Sequence, residues 1–253
     1  MIRNKVYFAS DFHLGVPNKE YSDKREKAIC KWLDMAAQDA SDIYLHGDLF
    51  DFWYEYGSAV PKGFVRFQGK LAEVADSGIN IHVFTGNHDM WMFNYFEEEL
   101  GVKMYRKPIS FNIHNLKVFI GHGDGLGPGD HRYKLIKKVF SNPLCIFLFR
   151  WIHPDIGISI ANFWSRRSRN SNLPKDEIYR GDENEYLVQF CNDHLKNEKI
   201  DLFIFGHRHL VLDMKIGNDS RYVNTGAWFK DPHYLVIDES GANLKEWELL
   251  FSL

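Results

Sequence analysis

Five short apolar runs recur along the chain, and each ends in a turn that carries Asp, Asn or His. Lys5–Ala9 leads into Asp11-Phe12-His13, and Ile43–His46 leads into Gly47-Asp48. Asn80–Thr85 leads into Gly86-Asn87-His88-Asp89, and Leu116–Ile120 into Gly121-His122-Gly123-Asp124. Leu202–Phe205 leads into Gly206-His207-Arg208-His209. Runs this short, bounded by glycine, predict buried strands. Helical spacing lies between them: Ser22–Gln38 sets Ile29, Leu33 and Ala36 on one face, and Lys62–Asp76 stops before Gly78. Met90–Leu100 and Ile178–Lys196 read as further helices. Pro108–His114 and Leu116–Gly121 predict a hairpin, and Val211–Ile216, Arg221–Val223 and His233–Ile237 predict closing strands. Strands alternating with helices define an α/β protein, whose ligands gather at the strand ends.

One stretch breaks this pattern. Residues 131–175 contain nine Lys or Arg against a single acid, Asp155, together with many bulky aliphatic and aromatic residues. They predict inserted helices broken at Pro143 and Pro154. Such a mixture suits an anionic bilayer surface or lipid. It equally suits a helical cap whose apolar face packs on the sheet. The aromatic cluster Phe50, Phe52, Trp53, Tyr54 and Tyr56 reads as core packing in preference to substrate contact. Length 253 bounds the chain to one domain, 1–253, with the insertion inside it. A formal charge of −3 argues against bulk nucleic-acid binding. No signal peptide or membrane-spanning stretch is visible. Cys30, Cys145 and Cys191 read as reduced thiols.

Asp, His and Asn with one carboxylate able to bridge suit a pair of borderline divalent cations. In an extended chain, i and i+2 side chains point the same way, so Asp11 and His13 can grip one ion. The same spacing holds for His207 and His209. Paired ions bind phosphoryl oxygens, lower the pKa of a water and neutralise charge in phosphate-ester hydrolysis. His88 beside Asp89 is a candidate acid or phosphate-oxygen donor, with Asp89 setting its tautomer. His46, His82, His114, His131, His153, His194 and His233 lack this context and read as packing or surface residues.

Asp11-x-His13, Gly47-Asp48-x-x-Asp51, Gly86-Asn87-His88-Asp89, Gly121-His122 and Gly206-His207-x-His209, in that order, resemble the calcineurin-like metallophosphoesterase superfamily. The resemblance implies a four-layer α/β/β/α sandwich of two mixed sheets with an inserted helical lid. It implies two divalent metal ions, Mn²⁺ the expected pair, with Fe²⁺, Zn²⁺ or Co²⁺ as alternatives. Asp48 would bridge them. Asp11, His13 and His209 would complete one shell, and Asn87, His122 and His207 the other. Asp48, His88 and Asp89 would form the catalytic group.

The stretch after His122 looks like the UDP-2,3-diacylglucosamine diphosphatase family of lipid A synthesis. Asp130, Tyr133, Ser168, Asn172 and Lys175 fall at that family's intervals for substrate contacts. Asn87, His88 and His207 would join them. The family usually has Arg where this chain has His88, and small residues are common at Arg208. Arg167 or Arg169 would then supply the guanidinium. The resemblance implies attack on the α-phosphate of a UDP-linked diacyl sugar lipid, releasing UMP and a lipid monophosphate. The implied setting is the cytoplasmic face of a Gram-negative-type inner membrane, held peripherally on an anionic surface. No nucleic acid and no obligate protein partner are expected. The alternatives are another phosphodiester, nucleotide or phosphoprotein substrate, a nuclease with steep salt dependence, and a non-catalytic scaffold.

Overall fold

The computed structural model describes residues 3–129, 131–161, 163–165, 178–179, 181 and 183–248. A six-stranded sheet has the order β11-β10-β1-β2-β3-β4, built from β1 (Lys5–Ala9), β2 (Ala40–His46), β3 (Asn80–Phe84), β4 (Lys103–Tyr105), β10 (His233–Asp238) and β11 (Gly241–Glu246). A five-stranded sheet has the order β5-β6-β7-β9-β8, built from β5 (Ile109–Ile113), β6 (Leu116–Ile120), β7 (Leu202–Phe205), β8 (Val211–Ile216) and β9 (Ser220–Thr225). Both sheets mix parallel and antiparallel pairs: β1 runs parallel to β2 and antiparallel to β10.

Strand periodicity explains the layers. Val6 and Phe8 point inward, where they meet Ile120, Ile204 and Val223 of the other sheet. Tyr7 and Ala9 point the opposite way, onto Trp32 and Leu33 of α1 (Lys19–Ala36) and Leu71 of α2 (Val65–Asp76). The second sheet likewise sends Phe119, Phe203 and Tyr222 outward onto Leu187 and Cys191 of α7 (Tyr186–Leu195). The layers are α/β/β/α, as the resemblance implied.

Side-chain oxygens, local or distant, fix where the first three helices start. Asn18 caps α1 by accepting the Tyr21 N–H at 3.1 Å, so α1 begins at Lys19, ahead of the expected Ser22. Glu26 of α1 accepts the N–H groups of Arg66 and Phe67, which fixes the start of α2 near Val65. Glu55 does the same for Asn94 and Tyr95. The helix expected over Met90–Leu100 is therefore only α3, Tyr95–Leu100. The predicted helix Ile178–Lys196 shortens to α7. Strands β4 and β11 escaped the sequence reading; both are edge strands with partly exposed, polar-rich residues.

Between β6 and α7 lie α4 (His131–Phe140), α5 (Pro143–Arg150) and a helical run, α6, over residues 154–161. Pro143 opens α5 behind the Asn142 cap, and the second break falls at Pro154. Tyr54 donates to the Ile146 carbonyl at 2.7 Å, and Trp91 to the Phe140 carbonyl at 3.0 Å. Phe149 packs on Tyr54 and Trp91. On α5, Leu144, Phe147, Leu148 and Trp151 are exposed at i, i+3, i+4 and i+7, one apolar strip. The cap alternative therefore accounts for Phe149 but not for this strip. Phe50, Trp53 and Tyr54 are fully buried, in keeping with core packing. The three cysteines are free.

Candidate metal centre

The loops that follow β1, β2, β3, β6 and β7 meet at one end of the two sheets. Backbone bonds lace the first two together: Asp11 N–H donates to Gly47 O at 3.0 Å and His13 N–H to Asp48 O at 2.9 Å. Gly206 N–H donates to His122 O at 3.0 Å, which joins the last two. The His207 N–H reaches both carboxylate oxygens of Asp11 at 3.1 Å, across the sheets.

Two donor groups share Asp48. Asp11, His13, Asp48 and His209 present ligand atoms within 4.8 Å of one another, and so do Asp48, His122 and His207. In the first, the Nε2 atoms of His13 and His209 face each other at 3.1 Å and lie 3.7 and 3.4 Å from Asp11 Oδ1. In the second, His122 Nε2 lies 3.2 Å from Asp48 Oδ2 and 3.2 Å from Asn87 Oδ1. His122 is oriented through its other nitrogen, 3.0 Å from the His46 carbonyl. The Nδ1 atoms of His13 and His209 are buried with no hydrogen-bond partner among the described residues. Buried carboxylates and imidazole nitrogens converging in this way fit borderline divalent cations, one per group.

The backbone is strained where these residues sit. Asp11, His13, Asp48, His207 and His209 all have φ between 43° and 66°. Left-handed non-glycine residues are costly and cluster at functional sites. The extended-chain argument for i, i+2 pairs thus does not apply. His207 and His209 divide between the two groups instead of sharing one. Glycine precedes Asp48, Asn87, His122 and His207, where neighbours approach too closely for a Cβ. A Cβ on Gly86 would lie 2.2 Å from Asp48 Oδ1, and one on Gly206 would lie 2.2 Å from Asp11 Oδ2.

The electrostatics follow from burial and neighbours. Burial opposes ionisation of Asp11 and Asp48, but the surrounding imidazoles outweigh it and hold both well below the usual carboxylate range. Burial likewise opposes charge on His13 and His122, and the carboxylates outweigh it, raising them to about 9 and about 10. For His207 the balance tips the other way: burial and then the His122 charge outweigh Asp124, Asp48 and Asp11 and lower it to about 3.

His88 sits at the rim of the cluster. Its N–H donates to Asp48 Oδ1 at 2.9 Å, and its Nδ1 faces the Asp51 carbonyl at 3.0 Å. A carbonyl only accepts, so Nδ1 carries the proton and the neutral ring offers Nε2 as an acceptor. Burial lowers the His88 pKa, which favours this neutral form. The expected Asp89–His88 pair is corrected. Asp89 accepts the N–H groups of Gly86 and Leu49 at 2.7 Å each, so it braces two ligand loops. Burial, then the Asp48 charge, raises its pKa to about 7. The Asp89 carboxylate is taken up by loop N–H groups, while His88 turns to Asp51.

Of the expected substrate contacts, Tyr133 donates to Asp124 Oδ2 at 2.5 Å, beside Lys137 Nζ on the same oxygen. Its ring lies 6.3 Å from that of His207. Asp130, Arg167, Ser168, Arg169, Asn172 and Lys175 lie outside the described residues. Ser165 of the insertion does reach the site, donating to Asp51 Oδ2 at 2.9 Å with His88 Nδ1 3.2 Å away. Sequence reasoning missed the support behind Asp11: Ser10 donates to it and lies 2.9 Å from Thr225 Oγ1, which is 3.1 Å from His46 Nε2. Phe229 packs edge-on against His13 and His209. The one available signal was the polar Asn224-Thr225-Gly226 turn at the end of β9.

The chain belongs to the calcineurin-like phosphoesterase family, whose model matches residues 4–211. Within it, the chain is 35% identical to a Porphyromonas gingivalis protein named UDP-2,3-diacylglucosamine hydrolase, over 98% of this chain and 99% of that one. Proteins of the same name from Shewanella baltica and Stutzerimonas stutzeri are 25% and 23% identical, covering 95% and 93% of this chain and 96% of each relative. Among solved structures, the E. coli phosphoesterase YfcE aligns over 93% of this chain and 88% of its own, at 16% identity and a TM-score of 0.44.

Proposed function

We propose that this hydrolase cleaves the pyrophosphate of UDP-2,3-diacylglucosamine, giving UMP and 2,3-diacylglucosamine 1-phosphate in lipid A synthesis. The observation that carries the reading is end-to-end identity of 35% to a relative of that name, combined with two donor groups sharing Asp48. Asp11, His13, Asp48 and His209 would hold one divalent ion, and Asp48, Asn87, His122 and His207 the other, with Mn²⁺ the expected metal. Bound there, such ions supply charge neutralisation for the phosphoryl group and acidify an attacking water. One P–O bond forms from water to the α-phosphorus, and the P–O bond to the lipid phosphate breaks. Asp89 holds the Gly86 and Leu49 backbones, which keeps Asn87 and Asp48 in place. His88 contacts a phosphoryl oxygen through Nε2. It donates there once the substrate's negative charge has drawn a proton onto the ring. Departure of a phosphate needs little acid help, so this contribution is moderate.

Residues 131–175 act as a lid over the acyl chains and rest on an anionic membrane face. Two features support this: the exposed strip on α5, and the basic residues Arg132, Lys138 and Arg150, which are also exposed. No helix among the described residues is long and apolar enough to cross a membrane. The lipid substrate proposed above implies peripheral association at the cytoplasmic face. The test is UMP release from detergent-dispersed UDP-2,3-diacylglucosamine with Mn²⁺, beside a soluble diester such as bis-p-nitrophenyl phosphate. Hydrolysis of the diester alone would reject the lipid substrate while keeping the phosphoesterase.

A further inference from the structure

The turn Gly206–His209 supplies one histidine to each donor group, and both histidines are left-handed. Arg208 between them points the other way, into the protein. Its Nε and Nη2 donate to the two carboxylate oxygens of Glu185 at 2.9 and 2.8 Å, a two-pronged pair with both side chains at most 2% exposed. Nη2 also donates to the Ile178 carbonyl at 3.1 Å, and the guanidinium lies 5.6 Å from the Tyr186 ring centroid. Glu185 stands at the N-cap of α7, and its side chain caps nothing there. A buried ion pair adds little net stability over apolar packing, so its best-attested use is to select one conformation. Here the conformation concerned is the Gly206–His209 turn. Arg208 N–H donates to Gly206 O at 2.7 Å, closing a tight turn around left-handed His207, and His209 just beyond it is left-handed too.

We propose that the Arg208–Glu185 pair is a positioning device that holds the turn so that His207 and His209 face different ions. This rests on the metal-centre reading above. It assigns Arg208 no contact with substrate. Because the anchor sits between the two histidines, loosening it weakens both ion steps together. A prop that merely supported α7 would leave ion affinity unchanged.

The experiment measures Mn²⁺ stoichiometry and stepwise affinity by equilibrium dialysis on the full chain. The first variant is Arg208→Met with Glu185→Leu, which removes both charges and leaves neither unpaired. The second is Arg208→Lys, which keeps the charge and loses the fork. Expected is a loss of about 10–100-fold in affinity at both steps for the double variant, the usual effect of removing a ligand's support. Arg208→Lys should lose about tenfold on the same basis. Circular dichroism and thermal melting check that each variant is folded. Arg221→Met, which breaks the more exposed pair with Asp213 at 2.5 Å, serves as the control and should bind ions normally. Wild-type affinity in either folded variant overturns the proposal. If the double variant does not fold, Arg208→Lys decides alone. Failure of the wild-type chain to bind Mn²⁺ would instead reject the metal-centre reading, and this inference with it.

Discussion

Asp48 Oδ2 lies 3.2 Å from His122 Nε2, and this contact joins the two sheets at the candidate centre. Asp48 follows β2 of the larger sheet, and His122 follows β6 of the smaller. Asp48 is also the residue common to both donor groups. Asp48→Asn should therefore damage both ion sites at once. Turnover should fall by roughly 10³-fold, the upper scale for loss of one transition-state stabiliser. Mn²⁺ stoichiometry should fall below two. Metal analysis beside a UMP-release assay measures both. Two tightly held ions in the variant would remove Asp48 from its bridging role.

Ion loading should be coupled to protons. In the metal-free chain His13 is raised to about 9 and His122 to about 10, so both carry protons at pH 7. An ion needs the free nitrogen, so binding expels them. Affinity should rise with pH between 7 and 9, roughly tenfold per unit for each proton displaced. The sign for stability is opposite. Folded values above the unfolded value of about 6.5 mean a contribution complete below that pH and lost as pH rises through 9 to 10. Calorimetry in buffers of different ionisation enthalpy reads the protons, and urea titrations of the EDTA-treated chain read the stability. A metal affinity that is flat from pH 7 to 9 would contradict the coupling.

His88→Ala should separate chemistry from metal binding. It removes no proposed ligand, so two ions should remain. The rate constant for UMP release should fall by about 10²-fold, the low end for a proton donor. If ion stoichiometry falls as well, the His88 ring is holding the site together through its Nδ1 bond to the Asp51 carbonyl and not touching phosphate.

Gly86→Ala should act through space alone. The new Cβ would sit 2.2 Å from Asp48 Oδ1, so the Asn87 turn and the Asp48 loop cannot both keep their places. We expect about 1–3 kcal/mol of destabilisation from overpacking and weaker Mn²⁺ binding. Gly63→Ala, with nothing within 4 Å of its Cβ but a φ of 112°, is the comparison: backbone strain without a clash at the centre. Equal ion affinities in the two variants would mean that the close approach is immaterial.

Leu148→Glu with Trp151→Glu should impair membrane contact and spare the chemistry. Both residues are exposed, at 58% and 78%, so folding stability should change by no more than about 0.5 kcal/mol each. Losing insertion of either side chain is worth about 1.5–3 kcal/mol. Binding to phosphatidylglycerol vesicles should therefore drop at least tenfold, while soluble-diester hydrolysis holds. Unchanged vesicle sedimentation would take the α5 strip off the membrane.

What the sequence determined by itself is local. Apolar runs of strand length, each closed by a ligand-type residue and four of the five by glycine just before it, announced the strand-end turns bearing Asp11, Asp48, Asn87, His122 and His207. Glycine is needed there because a Cβ would meet Asp48 at Gly86, Asp11 at Gly206, His122 at Gly47 and Pro108 at Gly121. The α/β/β/α layering was implied by the resemblance, and side chains alternating along β1 between two cores realise it. The tertiary structure alone decided what depends on partners far along the chain. Glu26 and Glu55 set helix starts about 40 residues away. Thr225 and His46 back Asp11 from other strands. Asp89 turned to loop N–H groups and not to its neighbour His88, because a buried carboxylate takes the nearest donors wherever they come from in sequence. The division of His207 and His209 between two groups rests on left-handed backbone and on Glu185, 23 residues from Arg208. Spacing along a chain shows which residues can share a face, but a strained turn held by a distant carboxylate is a property of the folded whole.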